Sequence, residues 1–205
     1  MVKLKVLAVA SHADDIALGC AGTIAKHVKV HDEVFLLVLT RGEEGGNPKV
    51  RAEETVRSAA VLGIPQENVH FGNLPDTQMF ENLRKAILEI ESLTDKHNPF
   101  RVYTSSSKDR HQDHVATAIA AKAACRKVSQ ILAYETPSTL ADFSPQAFID
   151  ISETLSLKIK SIRMHQSQRR KGYMKAEAAR GLAKFRGLQA GVKAAEAFEV
   201  YRLIL

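Results

Sequence analysis

Lys3-Leu4-Lys5-Val6-Leu7-Ala8-Val9-Ala10, running directly into Ser11-His12-Ala13-Asp14-Asp15, is the stretch on which the fold turns. An apolar run of strand length ends in an imidazole and two adjacent carboxylates. Ile16 to Lys29 then has helical composition, and Glu33 to Thr40 (EVFLLVLT) is a second apolar run. Near-continuous hydrophobicity in both runs predicts strands buried on both faces, as in a parallel sheet. The segment reads as a β-α-β opening.

The pattern recurs outward from there. A helix is predicted over Val50 to Leu62, stopped by Gly63 and Pro65, then a short strand at Val69 to Phe71 and a helix over Phe80 to His97. A strand at Arg101 to Ser105, an Ala-rich helix from His114 to Lys127 and a strand at Gln130 to Tyr134 follow. Strands alternating with helices predict a three-layer, Rossmann-like α/β sandwich around a mainly parallel sheet. The last third changes character, with helices at Glu153 to Gln168 and Lys175 to Gln189 and a short strand at Ala197 to Leu203. Because no Pro/Gly/Ser linker precedes it, residues 1–205 read as a single domain, with a core over about 1–150 and a C-terminal helical part over about 151–205.

The 205 residues are 45% hydrophobic and 25% charged, which is ordinary globular composition. The apolar run at Met1 to Ala10 is too short to span a membrane and lacks the small-residue cleavage pattern of a signal peptide, so a cytoplasmic location is expected. Cys20 and Cys125 stand far apart and form no disulfide framework or Cys-rich zinc motif; they read as small buried hydrophobes. The net charge of +6 is unevenly spread, since Lys158 to Lys193 holds eleven Lys or Arg against one acid, Glu177. That segment is either a solvated helix face or an attractor for an anionic substrate or partner.

In open parallel sheets, ligands bind beyond the carboxyl ends of the strands. Two such loops carry the chemistry. The first strand leads into His12-Ala13-Asp14-Asp15, and the fourth into Asp109-Arg110-His111-Gln112-Asp113-His114. Zinc catalysis needs about three N or O ligands and one open position. A His–Asp pair from the first loop and one His from the second supply that set. A bound ion would acidify water and polarise a scissile carbonyl. A remaining carboxylate would accept a proton, and a cation would steady the oxyanion. The plainer reading of Asp14, Asp15 and Asp113 is helix capping. Gly19 and Gly22 form no G-x-G-x-x-G between strand and helix, which argues against a dinucleotide enzyme.

These motifs resemble those of the PIG-L/LmbE-like family of zinc-dependent de-N-acetylases. The family's A/P-H-P-D-D-E and Leu-Gly-x-Gly-Gly stretch corresponds to Ser11 through Ile24, and its H-x-D-H or H-x-x-H to His111-Gln112-Asp113-His114. Thr40-Arg41-Gly42-Glu43 is similar to its Thr-x-Gly turn. Arg51 with Glu54, Leu62-Gly63 and Leu74-Pro75-Asp76 resembles its R-x-x-E…LG…D segment, and His165-Gln166-Ser167-Gln168 a recurring H-x-S-Q signature. Two positions depart from the pattern: Ala13 replaces Pro and Ile16 replaces Glu.

The resemblance implies His12, Asp15 and His114 as ligands of Zn2+ or another divalent metal ion. It further implies Asp14 as general base, and His111, when protonated, as stabiliser of the oxyanion or of the leaving amine. Arg51 would bind substrate; its plainer role is an ion pair with Glu54 at i,i+3. The implied reaction removes an N-acetyl group from an N-acetylglucosamine-type amino sugar or its conjugate, in a homo-oligomer. A thiol-conjugate amidase using the same site is the alternative within the class. Outside it stands a nucleic-acid-binding module built on Arg169-Arg170-Lys171, against which the absence of Trp and the scarcity of stacking aromatics weigh.

Overall fold

Val6, Ala8 and Ala10 lie on one face of the first strand and Leu7 and Val9 on the other, and each set is buried in a different apolar cluster. This is why Val6 to Ala10 contains no polar residue: a central strand covered on both sides has no solvent face. The computed structural model describes residues 3–204; Met1 and Val2 of the N-terminal apolar run lie outside the described residues. The strands are β1 Lys5–Ala10, β2 Glu33–Thr40, β3 Val69–Leu74, β4 Arg101–Ser105, β5 Gln130–Tyr134, β6 Ala147–Asp150 and β7 Ala195–Leu203. They form one sheet in the order β3-β2-β1-β4-β5-β7-β6. The first five strands of that order are parallel, while β7 runs antiparallel to both β5 and β6.

The helices are α1 Asp15–Gly19, α2 Ala21–Lys29, α3 Pro48–Val61, α4 Leu83–His97, α5 Gln112–Ala124, α6 Leu155–Arg163 and α7 Ala176–Ala190. Ile24 of α2 and Ala59 of α3 pack on one face of the sheet, with Tyr103, Tyr134 and Phe198. Ile90 of α4 and Ala116 and Ala120 of α5 pack on the other face. These make the three layers. Ile159 and Ile162 of α6 and Ala179 of α7 join Ala17 of α1 in a smaller cluster.

Three elements differ from the sequence reading, each for a physical reason. The helix expected from Ile16 to Lys29 breaks at Cys20 (φ −139°), which frees the amides of Gly22 and Thr23 at the start of α2. Both donate to the carboxylate of Glu196 on β7, at 2.9 and 2.7 Å. Glu196 in turn accepts from buried Lys158 of α6 at 2.6 Å, so one carboxylate ties two helices to the last strand. The C-terminal part is therefore not helical alone, because β6 and β7 complete the sheet. β6 was not read from the sequence; it is a partly exposed edge strand whose Ala147 and Ile149 pack on the core, but its four residues are too few to show an alternating pattern. The helix of the second motif begins at Gln112 rather than His114, since the His111 ring accepts from the Asp113 amide as an N-cap.

Gly19 and Gly22 owe their presence to packing. A Cβ on Gly19 would lie 2.2 Å from the Tyr134 ring, and one on Gly22 would lie 2.8 Å from Ile151. The absent side chains let α1 and α2 press down on the sheet, which sets the height of Asp14 and Asp15 above it. Gly19→Ala is expected to destabilise the protein by about 1–3 kcal/mol through overpacking. Gly181→Ala, on α7 with open space around it, should stabilise by up to about 1 kcal/mol. Urea titration of the two variants checks the pair.

Candidate active site

β1 and β4 are neighbours in the sheet, so the loops leaving their carboxyl ends stand side by side. His12, Asp14 and Asp15 come from the first and His111 and His114 from the second. All five line one cavity of about 390 Å³. At its centre the Asp15 carboxylate lies 3.4 Å from His12 Nδ1 and 3.2 Å from His114 Nε2. The rings of His12 and His114 are 5.4 Å apart between centroids, and His111 lies beside both, at 4.6 and 4.8 Å.

The outward nitrogen of each ligand-type ring is occupied. His12 Nε2 meets Asp76 at 2.9 Å and Asp113 at 3.3 Å, and His114 Nδ1 meets Asp109 at 3.0 Å. An imidazole donating from one nitrogen presents a lone pair at the other. The inward nitrogens, His12 Nδ1 and His114 Nε2, are the ones turned toward Asp15, and each ring would offer a lone pair there only in its neutral form. Two groups of side chains have the mutual spacing to hold an ion, His12 with His111 and His114, and His12 with Asp76 and Asp113. The second group is already committed. Asp113 accepts from the amides of Thr77 and Met79 at 2.8 and 3.3 Å, and Asp76 from those of Thr77 and Glu44 at 2.9 and 3.3 Å. These two carboxylates back His12 rather than face the cavity centre.

Electrostatics follow the geometry. Burial alone would depress the His12 pKa, but Asp15, Asp113 and Asp76 together hold it well above the ordinary histidine value. Burial likewise works against His114, and Asp15 and Asp109 outweigh it and raise it to about 9. Burial pushes Asp15 up, while His114 and His12 draw it well below the carboxylate range. His111 goes the other way, lowered by burial and by the charges of His12 and His114. Its Nδ1 accepts from the Asp113 amide, so the neutral ring carries its proton on Nε2. His111 is thus a hydrogen-bond donor without needing to be protonated.

Arg51 is buried. Its guanidinium reaches Asp14 Oδ1 at 2.8 Å and the Gly42 carbonyl at 2.9 Å, passing over a turn in which Gly42 has φ +65°. A Cβ on Gly45 would lie 2.0 Å from that guanidinium, which explains the glycines around the Thr-x-Gly turn. Glu54, the surface partner considered for Arg51, instead accepts from the Ser167 amide and hydroxyl at 2.7 and 2.6 Å. Gln168 donates to the Gly45 carbonyl at 2.9 Å. The H-x-S-Q segment therefore clamps the helix and turn that carry Arg51. Asp14 lines the cavity, and no hydrogen bond within the described residues engages its Oδ2.

Several lining residues carried no assigned role in the sequence reading. Asp76 and Asp109 had a signal, since they sit in the quoted Leu-Pro-Asp and Asp-Arg-His segments. Thr136 and Tyr173 had none, because each arrives from a loop distant in sequence. Ile16, where the family pattern has Glu, is buried in the apolar cluster of the α2 face. The basic segment divides: Lys158 pairs with Glu196, Arg186 pairs with Glu135, and Lys171 lines the cavity. Arg169 and Arg170 are exposed and are not among the cavity's lining residues. Among the described residues no helix is long and apolar enough to cross a membrane.

A parallel α/β sheet whose strand ends gather three histidines and a ring of aspartates defines a hydrolase-type site of the metal-binding kind. The family model for PIG-L, GlcNAc-PI de-N-acetylase, matches residues 7–125, a span holding both motifs. The chain belongs to that de-N-acetylase family. It is 36% identical over 169 residues to the uncharacterized deacetylase YaiS of Escherichia coli K12, covering 79% of this chain and 90% of that one. Among solved structures, the conserved protein TT1542 of Thermus thermophilus superposes with a TM-score of 0.87 at 26% identity, over 98% of this chain and 96% of that one. The N,N'-diacetylchitobiose deacetylase of Pyrococcus horikoshii, bound to its inhibitor MPG, gives 0.82 at 25% identity, over 96% and 83%.

His165 of the H-x-S-Q segment is fully buried with neither ring nitrogen bonded within the described residues. Burial lowers its pKa, against the pull of Asp14 and Glu54. Below about pH 6.5 the unfolded chain takes up a proton that the native ring refuses. The associated stability is present above that pH and lost as the pH falls through the lowered native value. Melting temperature should drop between about pH 6.5 and pH 5, and His165→Leu should weaken that drop. Thermal melts across this range, with both proteins, check it.

Proposed function

We propose that the chain is a divalent-metal amidohydrolase, with zinc as the ion, that removes the N-acetyl group from an N-acetylglucosamine-type amino sugar or its conjugate. The observation that carries this reading is the convergence of two imidazole nitrogens and the Asp15 carboxylate while further carboxylates hold each ring from behind. That donor set fits a borderline cation taking N and O ligands with a position left open. His12, Asp15 and His114 would hold it. When bound, such an ion supplies a Lewis acid that polarises an amide carbonyl and makes water more acidic. Family membership and the deacetylase relatives support the same reaction class.

The chain's own residues divide the remaining work. Arg51 holds Asp14 by Oδ1, leaving Oδ2 to take a proton from the water that adds to the amide carbon. His111 donates its Nε2 proton as a hydrogen bond to the carbonyl oxygen as that oxygen becomes an anion. Asp14 returns its proton to nitrogen as the C–N bond breaks, so water and amide become acetate and a free amine. Arg51 is in this account a positioning residue for the base and also lines the substrate cavity. Glu44, Asp76 and Arg110 on the cavity wall offer polar partners for sugar hydroxyls. Buried, unpaired Cys20 and Cys125 suit a reducing, cytoplasmic setting.

Asp14→Asn should lower acetate release from N-acetylglucosamine by about a hundredfold or more while bound metal, measured by elemental analysis, stays stoichiometric. Full activity in that variant removes Asp14 from the role of base. Asp109→Asn takes away the acceptor behind His114, and metal affinity should weaken by about 10- to 100-fold. Competition with a chelating dye measures it, and unaltered affinity would show that Asp109 does not support a ligand.

A further inference from the structure

A second cavity of about 210 Å³ lies against the catalytic one and shares Leu18, Thr136, Pro137 and Tyr173 with it. Its remaining wall is largely apolar, built from Gly19 and from Ala179, Leu182 and Ala183 of α7, with Ala197 of β7. Three charged residues border it and all are satisfied elsewhere. Lys158 donates to Glu196 and to the Leu18 carbonyl, both at 2.6 Å. Glu196 also takes the amides that start α2, and Glu135 is held by two nitrogens of Arg186 at 2.8 and 2.6 Å. No charge is left over to bind water or a polar ligand, and a cavity without free polar partners holds water poorly.

The position of this annex points to its occupant. Leu18 is one turn along α1 from Asp14 and Asp15, and it walls both cavities together with Thr136, Pro137 and Tyr173, so the annex opens beside the site where the amide would be held. The wall of the main cavity that the annex does not share instead carries the exposed Glu44, Arg110 and Lys171, which suit the hydroxyl-rich sugar. With the sugar on the polar side, the group left to face the apolar side is the acyl chain. Its volume far exceeds the needs of a single methyl.

We infer that the annex is an acyl-chain subsite and that the enzyme hydrolyses amino-sugar N-acyl groups longer than acetyl. This rests on the amidohydrolase reading above. The chemistry is unchanged: water adds to the acyl carbon, the C–N bond breaks, the nitrogen takes the proton from Asp14, and a short fatty acid leaves in place of acetate.

The test compares kcat/KM of the metal-loaded enzyme for N-acetyl-, N-butyryl- and N-hexanoylglucosamine, read as amine released. Two variants alter the annex: Ala178→Phe, at an exposed helical position on its rim, narrows it, and Leu182→Glu places a carboxylate in it. In the wild type, kcat/KM should rise with chain length, by up to about fourfold per buried methylene. Both variants should cut hexanoyl turnover by about tenfold or more and retain acetyl turnover. A steady fall with chain length in the wild type, or equal losses on all three substrates, overturns the subsite. So does a gain that follows the alkyl chain of an N-acetylglucosamine alkyl glycoside instead, since that places the apolar group on the sugar side. If no N-acyl sugar is turned over, the amidohydrolase reading fails and product binding decides the annex separately. Hexanoate, and not acetate, should then raise the melting temperature of the wild type and not of Ala178→Phe; an equal response in both proteins overturns the subsite.

Discussion

Asp15, held between His12 Nδ1 and His114 Nε2, is the contact around which this molecule is arranged. All three side chains are buried, and ionisable groups leave water at a large cost unless partners are supplied. The partners arrive in shells. Asp76, Asp113 and Asp109 take the outward nitrogens of the two rings, and the amides of Thr77, Met79 and His111 then satisfy those carboxylates. Arg51 is brought to Asp14 in the same way, across a turn whose glycines leave room for a guanidinium.

The sheet makes this cluster possible. Parallel strands deliver their loops to one edge, and pairing β1 directly with β4 puts two loops about a hundred residues apart in sequence into contact. Burial on both faces keeps those strands in register, because a slip of one residue would exchange the apolar sets that contact α2 and α3 with those that contact α4 and α5. The C-terminal third closes the other end of the sheet. Glu196 on β7 caps α2 and pairs with Lys158 of α6, tying both helices to that end of the sheet.

The site therefore has two chemical halves. One is polar and charged, lined by Glu44, Asp76, Arg110 and Lys171; the other is apolar, lined by α7 and the start of α1. Most of the positive charge of the C-terminal segment lies outside both, engaged in pairs such as Arg186 with Glu135 or exposed to solvent.

The alternation of apolar runs with helical segments was enough to read the sandwich, because strands buried on both faces leave a continuous hydrophobic signature. The positions of His12, Asp14, Asp15, His111 and His114 were legible for a related reason: each lies in the loop or first helical turn after a strand, and parallel strands share one carboxyl edge. The break at Cys20 was not legible, since it is imposed by Tyr134 and Glu196 from far along the chain, and neither was β6, an edge strand whose four residues are too few to show a period. Arg51 shows the limit most clearly. Its spacing from Glu54 suggests a helix-surface pair, yet burial drives its charge to the nearest unsatisfied carboxylate, Asp14, 37 positions away. What the chain determined by itself was the order of elements and the loops that carry the reactive groups, because these follow from local hydrophobic periodicity. Which carboxylate backs which imidazole, and that an apolar annex adjoins the reacting centre, was decided only by the tertiary structure, because both depend on long-range pairing of groups that cannot be left alone in a dry interior.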